Sequence, residues 1–149
     1  MLDTGALTNL VIEQITLGSA QLVGDGIAPT DGGWLRGQPN VDAFVPFTVV
    51  AFTGASVKVP GEMTLVKAQE FWLASFQLRY HGGSRPQTDW IAMEAREAVE
   101  ILQNRQFGAV PYKVAFIEWR QLGGVVRNDV TDPPAWTATD NFTLQVSKA

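Results

Sequence analysis

Apolar residues recur at helical spacing near the start of the chain. Asp3 or Thr4 can cap a helix here, and Gly18 supplies a stop after Leu17. The apolar stripe of this segment consists of Leu7, Leu10, Val11 and Ile15. We therefore predict an N-terminal helix within residues 1–18.

A second helical pattern follows a glycine pair. The segment Ser84-Arg85-Pro86-Gln87 has the form of a capping box with a proline in the first turn. Apolar residues then recur at helical spacing up to about Asn104: Ile91, Ala95, Ala98, Val99 and Leu102. The pattern predicts an amphipathic helix that begins after Ser84.

Four segments have the pattern of β-strands, at residues 44–53, 70–80, 112–122 and 136–146. In the second of them one face is apolar and the other becomes polar toward its end, which is typical of an antiparallel sheet covered on one side. No internal repeat or second composition zone divides the chain. The sequence thus predicts a single α+β domain over residues 1–149, with two helices packed on an antiparallel or mixed sheet of about four strands.

Two connections are unusually long. Residues 24–40 contain five glycines and two prolines, which predicts a long loop. Trp34 and Leu35 in its middle favour contact with a surface, either of their own domain or of a neighbouring subunit. Residues 53–68 carry turn signals at Gly54, Pro60 and Gly61, and we predict a projecting arm or loose hairpin there.

Composition narrows the class of protein. Hydrophobic residues make up 46% and charged residues 17% of the 149 residues, which indicates an aromatic-rich core or a surface that meets a partner. Cysteine is absent, so disulfides and thiolate metal sites are excluded. The net charge of -4 argues against phosphate-driven nucleic-acid binding. We expect neither a secretory signal nor a membrane span, since the longest apolar stretch, residues 44–52, is far too short.

Candidate catalytic residues do not form a known constellation. His81 is followed by Gly-Gly-Ser, which resembles an oxyanion-hole loop, but the sequence has no G-x-S-x-G nucleophile elbow. Glu94, Glu97 and Glu100 lie on one helical side without the histidine partners of a carboxylate metal site. Arg96 is predicted to pair with Glu100 at the surface. We therefore expect no enzyme activity, no cofactor and no metal site.

The chain resembles the tail-terminator and minor tail proteins of long-tailed bacteriophages. The resemblance extends over nearly the whole chain and depends on four pieces: the N-terminal helix with its Gly-rich tail, PFTVVAFTG at 46–54, EFWLASFQLRYHG followed by TDWIAMEAREAVEIL at 70–102, and WTATDNFTLQVSK at 136–148. It implies a six-membered ring of identical subunits in the neck of a virion. Such a ring caps the tail tube, binds the tube protein and a head-completion (stopper) protein, and lets DNA pass without sequence-specific binding.

The arm at residues 53–68 fits such a ring, because ring closure needs one patch to meet a different patch on the next subunit. The candidate interface residues in the arm are Val57, Lys58, Val59, Glu62, Leu65 and Lys67. Trp34 and Leu35 of the long loop are further candidates. A plain surface hairpin is the alternative for the arm.

Two other functions remain open at this point. A neighbouring head–tail connector would share every feature described above. A small-ligand-binding α+β domain would need a pocket lined by polar and aromatic residues, for which the sequence offers Arg79, Tyr80, Tyr112 and Trp119.

Overall fold

The computed structural model describes residues 2–19, 21–34, 44–58, 71–130 and 134–149. Within them the elements follow in the order α1 (Thr4–Ser19), β1 (Leu22–Asp25), β2 (Gly33–Trp34), β3 (Phe44–Val45), β4 (Phe47–Lys58), β5 (Phe71–Gly82), α2 (Arg85–Glu100), β6 (Gln106–Phe107), β7 (Tyr112–Leu122), β8 (Val126–Asn128) and β9 (Ala135–Lys148).

Most of the strands form one mixed sheet in the order β1-β4-β5-β9-β7-β6, with β8 beside the first residues of β9. β1 is parallel to β4, and the other pairs are antiparallel. The predicted sheet of about four strands is therefore wrong, because the sheet has seven strands, and β2 and β3 form a separate pair. The additional strands have two to four residues each, which is too short for an alternating pattern to stand out in sequence. These short strands form because their backbone groups pair with those of neighbouring strands.

α1 begins one residue after Asp3, whose carboxylate oxygen accepts a hydrogen bond from the Ala6 amide at 2.9 Å. The helix continues to Ser19, beyond the predicted end near Leu17. Its buried apolar residues are Leu7, Val11 and Ile15, as the spacing predicts.

α2 has the predicted cap. The Ser84 hydroxyl accepts from the Gln87 amide at 3.2 Å, and the Gln87 side-chain oxygen accepts from the Gly83 amide at 2.8 Å. The helix ends at Glu100 rather than near Asn104. Asn104 instead adopts a positive φ of 69° and donates its amide to the Val114 carbonyl at 2.7 Å, which turns the chain back toward the sheet.

Both helices pack on one face of the sheet. The largest buried side chains between them include Phe76, Leu78 and Tyr80 on β5 and Phe142 and Leu144 on β9. The even-numbered residues of both strands face the helices because side chains alternate along a strand. This arrangement confirms the apolar faces that the sequence indicates for these two strands.

The two long connections differ from their predicted form. Residues 53–58 of the predicted arm are the end of β4, and pairing with β5 continues to Lys58 opposite Phe71. Residues 59–68 lie outside the described part of the chain. In the predicted loop at 24–40, β1 and β2 occupy 22–25 and 33–34, while residues 35–40 also lie outside that part.

Candidate functional site

The sheet has an open edge at β4. β1 pairs with β4 as far as Val50, and the Gly26 amide adds one bond to the Val50 carbonyl at 2.8 Å. From Phe52 to Lys58 no described strand pairs with the outer side of β4. Along these seven residues the backbone N–H and C=O groups that point away from β5, which belong to alternate residues, have no partner strand in the described part of the chain.

A second open edge lies at β7, on the opposite side of the sheet. β6 and the residues before it bond to β7 only as far as Val114. From Phe116 to Leu122 the outer side of β7 has no partner strand among the described residues. Phe116 and Leu122 are 54% and 55% exposed, so this edge also presents apolar surface.

The two open edges run in opposite directions. β4 is antiparallel to β5, β5 to β9 and β9 to β7, so three reversals separate β4 from β7. If copies stand side by side with their strands along a common axis, β7 of one copy lies antiparallel to β4 of the next. Antiparallel addition of a strand to a sheet edge is a recurrent mode of protein recognition.

The face of the sheet away from the helices is polar along its middle. Ser75 and Gln77 on β5 lie beside Thr143 and Asn141 on β9, all uncharged. Glu118 and Arg120 on β7 are the nearest charges, and they form an ion pair with each other at 3.3 Å. Arg79 of β5 and Lys113 of β7 lie on the same face farther along the sheet, so this surface is uncharged in its middle and basic toward its ends.

A buried ion pair joins α2 to the centre of the sheet. Asp140 on β9 is fully buried and accepts from Arg96 Nε at 2.7 Å and from Arg96 Nη2 at 2.9 Å. It also accepts from the Tyr80 hydroxyl at 2.6 Å and from the Gly123 amide at 2.9 Å. The predicted pair of Arg96 with Glu100 is wrong, since Arg96 binds Asp140 and Glu100 accepts from the Trp119 indole at 3.2 Å.

The ionisation states around Asp140 follow from this geometry. Burial raises the pKa of Tyr80 far above its ordinary value, and the charge of Asp140 and its hydrogen bond raise it further. The hydrogen bond to Asp140 is the main cause that raises the pKa of Arg96. Tyr80 therefore stays a neutral donor and Arg96 stays charged. The cluster fixes the position where β7 ends and β8 begins, because Gly123 lies between them.

Aromatic residues cover part of the polar face at the end of β5 where α2 begins. Trp34 packs edge-on against Phe44, with 5.1 Å between ring centroids, and Phe47 stacks on His81 at 4.6 Å. Burial lowers the pKa of His81, and the positive charge of Arg79 lowers it further. His81 is therefore a neutral ring in an aromatic cluster.

Three of the eight sequence-predicted interface residues lie in the described part of the chain, at two separate places. Val57 and Lys58 lie at the end of the open β4 edge, and Val57 is 43% exposed. Trp34 lies at the other end of the sheet, near Phe47. The other predicted residues lie outside the described part of the chain: Leu35, Val59, Glu62, Leu65 and Lys67.

Sequence analysis missed the β7 edge and the Asp140 cluster. Nothing in the pattern of residues 112–122 tells an edge strand from a central one. Asp140, by contrast, shares the alternation phase of Phe142, Leu144 and Val146. A carboxylate at a core-facing position predicts a buried cation partner, and this signal was available in the sequence.

The described residues include no group of three or more metal-ligating side chains. None of the described helices is long and apolar enough to span a membrane. The four residues suggested for a ligand pocket serve other roles: Tyr80 binds Asp140, Tyr112 is buried against Phe107, Trp119 packs on Phe142, and Arg79 donates to the Gly26 carbonyl.

The sequence matches none of the protein-family models and none of the curated proteins searched. Among solved structures, the fold is similar to that of a chain in the virion of a native gene transfer agent particle. The TM-score is 0.51 at 15% sequence identity, and the match covers 97% of this chain and 96% of that chain. At this identity the likeness shows a shared fold alone.

Proposed function

We propose that this chain is a structural, non-enzymatic protein of a phage-like virion, and that it forms the tail-terminator ring of the neck. The observation that carries the proposal is the likeness to a virion chain over nearly the full length of both chains. A fold by itself does not fix a function. The open edges described above supply the second argument, because they favour assembly of several copies.

A ring requires two different patches on each subunit that fit each other. The outer edges of β4 and β7 meet this requirement, since they lie on opposite sides of one sheet and run in opposite directions. Each open stretch has about seven residues, as counted from the strand bounds. Side-by-side copies would therefore continue the sheet from one subunit to the next.

The residues on these edges favour a partner over solvent. Proteins usually protect an exposed edge with charges, prolines or bulges. β7 has two such features, the irregularities on either side of Phe116–Trp119 and the charged pair Glu118–Arg120, but they leave apolar side chains uncovered. Phe116 and Leu122 remain exposed, and an isolated subunit gains nothing from this exposure.

In the proposed ring the remaining surfaces meet the tail tube protein on one side and a head-completion protein on the other. The uncharged middle of the polar face, with Ser75, Gln77, Asn141 and Thr143, is suited to line a channel through which DNA passes without being held. A net charge of -4 also disfavours tight binding to phosphates. Six subunits are what the resemblance to tail terminators implies.

The predicted interface residues keep a place in this proposal. Val57 and Lys58 end the open β4 edge, and the segment that follows, with Val59, Glu62, Leu65 and Lys67, would reach the next subunit. Trp34 and Leu35 are proposed as a separate contact at the other end of the sheet, because Trp34 packs on Phe44, which stacks on Phe47 of β4.

The test is to disrupt this reading frame in the particle-producing system that encodes it and to examine the particles by negative-stain electron microscopy. We expect tails of irregular or excessive length, separate from DNA-filled heads. Tails of normal length that fail to join heads would instead identify a connector. Intact, normal particles would refute the assignment to the neck.

Complementation with variants tests the part played by the edges. Phe116→Lys places a charge on the exposed β7 edge, and we expect it to fail to restore normal particles although the chain still folds. Val130→Lys is the matched control, because Val130 is 93% exposed in the turn after β8. Restoration by both variants would remove the β7 edge from the proposal.

A further inference from the structure

An aromatic row crosses the full width of the long-stranded sheet on the face that the helices cover. Phe52 on β4 lies opposite Phe76 on β5, Phe76 opposite Phe142 on β9, and Phe142 opposite Trp119 on β7. Successive ring centroids are 5.4, 5.4 and 5.2 Å apart. These distances are those of favourable aromatic pairs.

The two ends of this row lie at the two open edges. Phe76 and Phe142 are buried in the middle, whereas Phe52 and Trp119 are only partly buried. The Trp119 indole N–H already has a partner in Glu100, so the rest of its ring can enter an apolar contact without leaving a polar atom unpaired. The row therefore ends on each side in an aromatic side chain beside unpaired backbone.

Space for another side chain lies next to Phe52. A surface cavity of about 360 Å³ is lined by Phe52 and Ala51 of β4 and by the first turns of α1. Gly5 belongs to this lining, and a Cβ atom there would meet only the Asp3 carboxylate oxygen, at 3.5 Å. The first turns of α1 thus leave room beside the open β4 edge.

We infer that Trp119 of one copy packs against Phe52 of the next copy, in the cavity beside α1, so that the aromatic row continues around the ring. The inference rests on the proposed ring and specifies its register. A second copy of this chain is the occupant because its β7 edge has the matching direction, a matching length and an aromatic residue at the matching level of the sheet.

The proposed pairing of Trp119 with Phe52 also determines which residues of two neighbouring copies lie opposite each other on the polar face. The row that contains Ser56 of β4 continues through Leu73 and Gln145 to Phe116 of β7. The bulge between Phe52 and Gly54 adds one residue to β4, so that three ladder steps separate Phe52 from Ser56, as three separate Trp119 from Phe116. With Trp119 opposite Phe52 and the bulge kept, Ser56 of one copy lies opposite Phe116 of its neighbour. A shift of the pairing by one residue would turn every side chain to the other face of the sheet. The nearest alternative that keeps the faces is a shift by two residues, which would bring Ser56 opposite Glu118.

Disulfide cross-linking distinguishes the two registers. The chain has no cysteine, so introduced cysteines have no native competitor. Directly opposite residues on antiparallel strands have Cα atoms about 4.5 to 5.5 Å apart, which a disulfide can bridge, whereas a diagonal pair about 7 to 8 Å apart is at or beyond the limit. Within one chain, three strand spacings of roughly 4.8 Å separate residues 56 and 116, so they cannot bond to each other.

The experiment uses particles complemented with S56C/F116C or with S56C/E118C, oxidised and analysed on non-reducing gels with antiserum to this chain. We expect a ladder of cross-linked species for S56C/F116C that ends at the number of subunits in the ring and disappears on reduction. The E118C pair should give little or no ladder. Normal particles with a ladder for S56C/E118C, or with none for either pair, would refute this register and leave the proposed function intact.

Failure of the proposed function has a different signature. In that case particles are intact without this chain, or purified particles do not contain it.

A second pair of variants tests the aromatic contact directly. Trp119→Phe keeps an aromatic ring and should complement, while Trp119→Ala should lower the yield of normal particles at least about tenfold, as expected for a tryptophan anchor. Full complementation by a folded Trp119→Ala chain would overturn the contact.

Discussion

The central strands β5 and β9 and the edge strands β4 and β7 all have a sequence pattern typical of strands, but their surroundings differ. On β9 the core-facing residues from Ala138 to Val146 are all buried, whereas β7 has exposed apolar residues from Phe116 onward. Among the described residues, β5 and β9 bond to strands on both sides, while β4 and β7 have no partner on one side over half their length or more. The centre of the sheet therefore supplies the core, and the edges are where we propose that one copy meets the next.

The largest expected effect concerns one phenylalanine in the centre and one at the edge. Phe142 is fully buried, and Phe142→Ala should lower the free energy of unfolding by about 3–5 kcal/mol because it leaves a cavity in the core. Phe116 is 54% exposed, and Phe116→Ala should change it by about 0.5 kcal/mol or less. Urea unfolding of both variants measures the difference. Equal losses would mean that the edge is part of the folding core.

The next effect concerns the buried ion pair. Asp140→Asn removes the fully buried charge that accepts hydrogen bonds from Arg96 and Tyr80, and should cost about 1.5–3 kcal/mol, as expected for hydrogen bonds to a charged group. The matched control is Asp129→Asn, whose 2.7 Å ion pair with Arg127 lies at the surface with the Asp129 side chain 74% exposed. Exposed pairs contribute about 0–1 kcal/mol, and a similar cost for the two variants would show that Asp140 is not important for stability.

A smaller difference in stability is expected between alanine substitutions at the adjacent residues Gly123 and Gly124. A Cβ atom at Gly123 would collide with the Thr139 carbonyl oxygen of β9, so Gly123→Ala should cost about 1–3 kcal/mol through displacement of the backbone. Gly124 has no atom in the way, and Gly124→Ala should be nearly neutral. Thermal unfolding compares the two. If Gly123→Ala is as stable as Gly124→Ala, the close approach of this turn to β9 is not a constraint.

The sequence predicted the parts of the fold that depend on local pattern. The cap at Ser84 and the bounds of β7 are confirmed because a capping box and an alternating strand are determined by residues close in sequence. The number of strands could not be obtained this way. β1, β6 and β8 exist because their backbone pairs with long strands, and a run of two to four residues has no detectable period.

The candidate site was harder to predict than the fold, for the same reason. Whether Phe116 or Phe142 lies at an edge depends on the order of strands in the sheet, which neither residue encodes locally. The Arg96 partner was assigned by helical spacing to Glu100, yet a buried carboxylate on another element binds it. Val57 and Lys58 were identified as interface candidates from the arm pattern, and their part in assembly stays a prediction.

The smallest expected effect is a dependence of the free energy of unfolding on pH, which we expect from His81 near the end of β5. Burial and the charge of Arg79 lower the pKa of His81 from its ordinary value of 6.5, so the unfolded chain binds a proton more readily than the folded one. Stability contributed by the neutral ring is therefore complete above pH 6.5 and is lost as the pH falls through the lowered pKa of the folded chain. His81 is the only histidine, so His81→Gln should remove this slope between about pH 7 and pH 5 while the carboxylate-dependent loss at lower pH remains. Urea unfolding of both chains across that pH range measures the slope of the free energy of unfolding against pH. An unchanged slope in His81→Gln would assign the pH dependence to groups elsewhere in the chain.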